Sequence, residues 1–310
     1  MSKRGSRGSK EKNRPDGDRP VRFTYSTADQ PLLQRTVIQA IEKIGGQGKL
    51  KKLYDRRNER EPGESFFGTA LRLLKINIEI DRAALDLSPR EGPVIFIANH
   101  PYGVLDGISL AWAAMLVRPD TKVLANSVLC HIPDARDNLL PVDFAGTRAA
   151  RETNVGSRLA ALSWLRAGHS IGIFPGGGVS TSERPHKGPA VELPWAPFTA
   201  KLIRASHATI VPIFFVGQNS RLFQLASHVS DTLRSSLVFR ETARRIGTSL
   251  ILRVGPPIAF GEIAHIEDRN ELVTELRRRT FALAKPGDIK GARPDHHLRA
   301  FTRWAPKEED

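Results

Sequence analysis

From residue 92 onward the chain alternates short apolar runs with helix-length segments, and this alternation restricts the possible folds more than any other property of the sequence. The runs fall at 94–98, 122–125, 140–144, 170–174, 209–216 and 250–254, each four to eight residues long and nearly continuous in apolar character. Strands buried on both faces look like this, because neither face needs polar residues. Segments of helical length, 107–117, 152–167, 194–205 and 223–245, lie between the runs. The expected fold class is therefore α/β, a mostly parallel central sheet covered by helices. A last helix over about 268–283, rich in Glu and Arg, is expected to close the domain.

Upstream, Leu33, Val37, Ile41 and Ile44 recur at three- and four-residue spacing, with Arg35, Glu42 and Lys43 elsewhere on the turn. That pattern predicts an amphipathic helix over 30–44. A second is expected over 65–76 through Phe66, Leu71, Leu73 and Leu74, with the strongly basic stretch 49–60 between the two. Such helices either pack on the main core or dock on lipid. Residues 1–22 carry eight Lys or Arg against three acids and almost nothing apolar, which predicts a disordered basic tail, either a solubilising leader or an electrostatic membrane tether. The expected organisation is a tail over 1–29, an N-terminal helical region for membrane docking or packing over 30–88, the main domain over 89–285 and a C-terminal tail over 286–310. There is no internal repeat.

The net charge of +14 suits nucleic acid, an anionic bilayer face or an acidic carrier protein, and charge alone does not choose among them. The single cysteine, Cys130, excludes an intramolecular disulfide and fits a reducing, cytoplasmic compartment. No signal segment is readable at the N-terminus. The longest apolar stretch, 108–117, falls short of the roughly 18 to 20 residues of a spanning helix. Cys130-His131 and the scattered histidines have no recognised ligand spacing, so no metal is expected.

Strand 94–98 runs into Asn99-His100-Pro101-Tyr102-Gly103-Val104-Leu105-Asp106-Gly107, at the kind of strand end where open α/β sheets bind ligands. Pro101 and Gly103 favour a tight loop that lets Asp106 fold back toward His100. In one reading the carboxylate fixes the imidazole tautomer and leaves the other ring nitrogen to take a proton from a hydroxyl. In the other, Asp106 only caps the following helix and His100 only bonds a backbone carbonyl. A second strand end, 171–181, carries Gly176, Gly177 and Gly178, either a turn whose amides approach an anion or a plain sharp turn. It lacks the ending of a nucleotide-binding P-loop. The nearest approach to a serine nucleophile elbow, 178–182, lacks the final glycine. A third segment, 210–219, is a buried strand entering a polar turn.

Together these segments resemble the glycerolipid acyltransferase superfamily, in particular the bacterial hemolysin-like lysophospholipid acyltransferases. His100 and Asp106 have the five intervening residues of that branch, Phe174, Pro175 and Gly177 match its Phe-Pro-x-Gly block, and Val211 and Pro212 match its valine-proline strand. The likeness covers roughly residues 90–260. Two positions where the superfamily places Glu are Gly176 and Gly178 here, and Val179, Ser180 and Thr181 stand where an arginine associated with the acceptor phosphate often follows.

The resemblance implies transfer of a fatty acyl group from an acyl thioester, on coenzyme A or acyl carrier protein, to the hydroxyl of a lysophospholipid-like acceptor. It implies His100 as general base with Asp106, and Asn99, Gly103, Phe174, Pro175, Gly176, Gly177 and Gly178 around the substrate. Arg148, Arg151, Arg184 and Lys187 are candidates for the missing headgroup contact, or are simply solvated bases. Leu105, Ile108, Trp112 and Trp195 either line an acyl channel or pack in the core. No cofactor is expected beyond the thioester cosubstrate. The expected partners are an anionic membrane surface, the lysolipid and acyl carrier protein, with no specific nucleic acid, and the expected location is cytoplasmic, peripheral on the inner face of the membrane. The alternative is a non-catalytic basic membrane- or nucleic-acid-binding protein on the same fold.

Overall fold

The computed structural model describes residues 46–288. The tail over 1–29, the helix expected over 30–44 and all of the tail expected over 286–310 after Asp288, which pairs with Arg253, lie outside the described residues. In chain order the first half contains α1 (Gln47–Asp55), α2 (Phe66–Leu73), β1 (Asn77–Ile80), α3 (Arg82–Asp86), β2 (Val94–Ala98), α4 (Val104–Met115) and β3 (Lys122–Asn126). Two 3-10 turns lead to β4 (Leu139–Val142), followed by α5 (Arg148–Arg166), β5 (Ser170–Ile173) and the strands β6 (Thr181–Arg184) and β7 (Lys187–Val191). Then come α6 (Phe198–Ser206), β8 (Thr209–Phe215), α7 (Arg221–Val229), α8 (Asp231–Arg244), β9 (Ser249–Val254), α9 (Phe260–Ile263) and α10 (Arg269–Phe281).

Seven strands form one sheet in the order β1-β9-β8-β2-β5-β3-β4, parallel except where β8 meets β9. The mostly parallel α/β class is as expected. β2, β5 and β8 are adjacent and almost wholly buried, and alternate side chains feed two cores. Ile95, Ile97, Ile171, Ile210 and Phe214 meet Leu165, Leu202 and Leu276 on one face. Val94, Phe96, Val211, Ile213 and Phe215 meet Leu105, Leu110 and Ala114 on the other. Both faces are apolar because both carry helices, which is why these strands read as continuous runs.

The ends of the elements differ from the expectation for local reasons. The helix expected at 107 starts at Val104, because the Asp106 carboxylate accepts the amides of Tyr102 and Gly103 and caps it. The helix expected at 152 starts at Arg148, because the Thr147 hydroxyl caps the amide of Ala150. Pro194 and Pro197 delay α6 to Phe198. Extended backbone at Ser230 splits the segment 223–245 into α7 and α8. The basic stretch 49–60 forms most of α1, and α2 buries Phe67, Leu71 and Leu73, so packing is the role α2 takes. β1, inside the region expected to be helical, extends the sheet by pairing with β9.

Candidate active site

β2, β5 and β8 all point their carboxyl ends toward one edge, and the loops leaving them converge there. Asn99 locks that edge: its amide nitrogen donates to Phe215 O at 2.9 Å and its oxygen accepts from Phe215 N–H at 2.6 Å. With both polar atoms used and the residue buried, Asn99 is a strut between β2 and β8. Tyr102 adds a second tie, its hydroxyl donating to Val216 O at 2.8 Å. Gly103 turns the chain at φ 88°, and a Cβ there would meet Val238 at 2.9 Å, so its part is in the backbone.

His100 and Asp106 are brought together. Nδ1 of His100 lies 3.0 Å from Oδ2 of Asp106, within ion-pair range but without the alignment of a hydrogen bond. The reason is visible in the partners of Oδ2, which already accepts from Tyr102 N–H at 2.7 Å and Gly103 N–H at 2.9 Å. Oδ1 is buried with no hydrogen-bond partner among the described residues. Asp106 therefore caps α4 and faces the imidazole at once, and the two readings of this residue are not exclusive. Phe174 stacks beneath the imidazole, centroids 4.2 Å apart and planes 26° apart, and fixes the ring from its face.

The glycine turn lies against the same loop, since Ser180 N–H donates to His100 O at 2.8 Å. The amides of Gly177 and Gly178 donate to Phe174 O at 2.9 Å and Gly176 O at 2.8 Å, so these two are spent within the turn and do not face an anion. Pro175 contributes its carbonyl, which accepts from Ala196 N–H at 3.0 Å. A Cβ at Gly178 would meet Leu193 at 2.6 Å and the Arg234 guanidinium at 3.3 Å, while one at Gly176 would meet Glu192 Cγ at 2.9 Å. Sequence reasoning missed both charged groups. Arg234, from α8, also donates to Val179 O. Glu192, just beyond β7, accepts from His100 N–H at 2.8 Å and from Trp195 Nε1 at 2.9 Å. Burial pushes the Glu192 carboxyl up to about 7, against the pull of Arg277 and of its hydrogen bonds.

The four basic candidates sit farther out. Arg148 is 88 % exposed and paired with Glu152, Arg151 is exposed and donates to Gly146 O, and Arg184 and Lys187 are exposed on the β6–β7 hairpin. The loop before α5 does reach the turn, because Phe144 lies 3.8 Å from the Cβ position of Gly177. Beside α4 lies an apolar cavity of about 110 Å³, walled by Val104, Gly107 and Ile108 with Phe67, Val123 and Ala135. Phe174 packs against the cluster of Phe67, Val123 and Ala135, so the floor of the imidazole and the wall of the cavity are continuous. Of the apolar candidates only Ile108 lines this cavity; Leu105 and Trp112 pack in the core under the sheet, and Trp195 is buried as the donor to Glu192. Among the described residues no three His, Cys, Asp or Glu side chains gather as metal ligands, and no helix is long and apolar enough to cross a membrane.

Residues 60–289 match the protein family described as Acyltransferase. A lyso-glycine lipid O-acyltransferase of Phocaeicola vulgatus is 24% identical over 203 residues, 65% of this chain and 68% of its own length. One from Bacteroides thetaiotaomicron is 23% identical over 220 residues, 70% of this chain and 76% of its own. Among solved structures, the 1-acyl-sn-glycerophosphate acyltransferase PlsC of Thermotoga maritima aligns with 83% of this chain and 82% of its own, at 15% identity and a TM-score of 0.42.

Proposed function

The chain belongs to the acyltransferase family matched by its residues 60–289, and from that membership we propose that it moves a fatty acyl group from an acyl thioester to the hydroxyl of a lysolipid, with His100 as general base. The observation that carries this reading is the 3.0 Å approach of His100 Nδ1 to Asp106 Oδ2 at the end of a central strand, on a ring held by Phe174. In the proposed reaction Nε2 of His100 takes the hydroxyl proton as the oxygen attacks the thioester carbonyl. Asp106 stabilises the imidazolium that forms. The tetrahedral intermediate then collapses with cleavage of the C–S bond, and the departing sulfur takes the proton back from His100. No enzyme nucleophile is needed, so the acyl group is never covalently attached to the protein.

The apolar cavity beside α4 is the proposed seat of part of the acyl chain, because it is dry in character and shares its wall with the floor of the histidine. For the acceptor, the named activity of the relatives favours a lyso-glycine lipid over a phosphate-bearing lysolipid. The absence of a basic residue at 179–181 agrees with that choice. Arg234 beside the glycine turn supplies a cation for an anionic headgroup of either kind. The proposed location is the surface of an anionic bilayer. Leu222, Leu225 and Val229 form one exposed stripe on α7, and Arg221 on the same helix and Arg184 and Lys187 on the neighbouring hairpin supply positive charge.

The test is transfer of labelled acyl groups from acyl-coenzyme A and from acyl carrier protein to lyso-glycine lipid and to lysophosphatidic acid, with wild type and His100→Ala side by side. Product made by the wild type and lost in the folded variant supports the base. Failure of the folded wild type to acylate either acceptor from either donor overturns the reading.

A further inference from the structure

Glu192 is a carboxylate almost wholly removed from solvent, yet both of its oxygens meet donors: the main-chain N–H of His100 at 2.8 Å and Nε1 of Trp195 at 2.9 Å. Two donors favour the ionised form, because hydrogen bonds to a charged oxygen are stronger than those to a neutral acid. The side chain also fills the space beside Gly176, where an added Cβ would lie 2.9 Å from its Cγ and 3.3 Å from its Cδ. Gly176 does not have a positive φ, so its backbone does not demand glycine. What excludes a side chain at 176 is chiefly the Glu192 chain itself, together with Leu193 O at 3.3 Å.

From this arrangement we infer that Glu192 is a positioning residue for acyl transfer, holding the main chain of His100 in place and setting a second negative charge beside the imidazole. The inference rests on His100 being the base. When His100 takes a proton, the positive charge forms between Asp106 on the Nδ1 side and Glu192 behind the backbone. The other charged group facing Glu192 is Arg277 from α10, itself largely buried, whose guanidinium favours the ionised carboxylate. Because burial raises the Glu192 carboxyl to about 7, its charge is in place above neutrality and is lost as pH falls through that value. Turnover should fall with it.

The experiment compares kcat and KM across neutral pH for wild type, Glu192→Gln, Glu192→Ala, Gly176→Glu in the Glu192→Ala background, and His100→Ala. In Glu192→Gln we expect kcat to drop about 10- to 100-fold, as displacement of a catalytic group commonly does, with KM for both substrates within about twofold. Its acid limb should move to lower pH, because the charge that supports the imidazolium no longer titrates. A carboxylate returned from position 176 into the vacated space should recover at least about tenfold of the kcat lost in Glu192→Ala. A purely structural role predicts an unmoved acid limb and no rescue, and that result in folded proteins overturns the inference. Should Glu192→Gln not fold, the rescue pair decides the matter by the same criterion. His100→Ala separates the two ideas: wild-type turnover in that variant sinks the base assignment, whereas an inactive His100→Ala with unperturbed Glu192 variants sinks only the role of Glu192.

Discussion

Asp106 does two jobs with one side chain, and the jobs can be separated chemically. Its Oδ2 holds the amides of Tyr102 and Gly103 while facing His100 Nδ1. Asp106→Asn keeps an acceptor for the two amides but places an NH2 group or a neutral oxygen against the ring. We expect a folded protein with kcat reduced about 100- to 10,000-fold, the range typical for loss of acid–base assistance; near wild-type turnover would confine Asp106 to helix capping. Asn99 should behave in the opposite way. Asn99→Ala strands the buried N–H and C=O of Phe215, and unsatisfied groups of this kind cost about 1 to 3 kcal/mol each. Urea unfolding should register a loss of about 2 to 6 kcal/mol. The His100–Asp106 pair was legible because both members lie on one turn, within reach of a spacing rule. Glu192 was not: it lies 92 residues from the His100 amide it accepts, and a bond to a main-chain N–H leaves no mark on the identity of the residue that donates it. The glycine at 176 was the only trace, and in the sequence it read as a missing charge rather than as room made for one.

At the scale of elements, α4 joins the site to the cavity, since the helix that carries Asp106 also presents Val104, Gly107 and Ile108 to the apolar space. A Cβ at Gly107 would have nothing within 4 Å, so the first atom of a side chain added there meets open space. Gly107→Leu should narrow the cavity and shift the preferred donor toward shorter acyl chains, with no loss of thermal stability, as competition between long- and short-chain thioesters would report. An unchanged chain preference would mean that the acyl group lies elsewhere. α7 makes a separate claim. Changing Leu222, Leu225 and Val229 together to Ser should weaken sedimentation with anionic vesicles about tenfold or more, while turnover on detergent-dispersed acceptor stays at the wild-type level. Equal sedimentation of the two proteins would remove α7 from the proposed membrane-binding surface. The central strands were readable because burial on both faces makes them uniformly apolar. β1 and the β6–β7 hairpin were not, being short and partly exposed, with no such run. The break at Ser230 also escaped, because apolar spacing carries on through it.

Among the described residues, the carboxylates whose acidity the fold shifts fall into two groups with opposite effects on stability. Glu64 beside Arg72, and Glu275 beside Arg278 and Arg279, are held down to about 2, and Asp120 and Asp288 are also lowered. Folding binds their ionised forms better, so the stability they add is present above the ordinary carboxylate range and is lost as pH falls toward 2. Glu192 works the other way. Its raised value means that the folded protein holds a proton that the unfolded chain has already released, so stability declines as pH rises from the ordinary value of 4.5 to about 7 and stays lower above it. The shift corresponds to about 3 kcal/mol. On this account the fold accepts a less stable state in the pH range where a charged Glu192 serves the imidazole. Thermal melting should therefore fall by several degrees between pH 5 and pH 8 in the wild type, and much less in Glu192→Gln, whose buried amide does not ionise. Identical slopes for the two proteins over that range would mean that Glu192 titrates as an ordinary carboxylate, its burial offset by the positive charge of Arg277 and by its two hydrogen bonds.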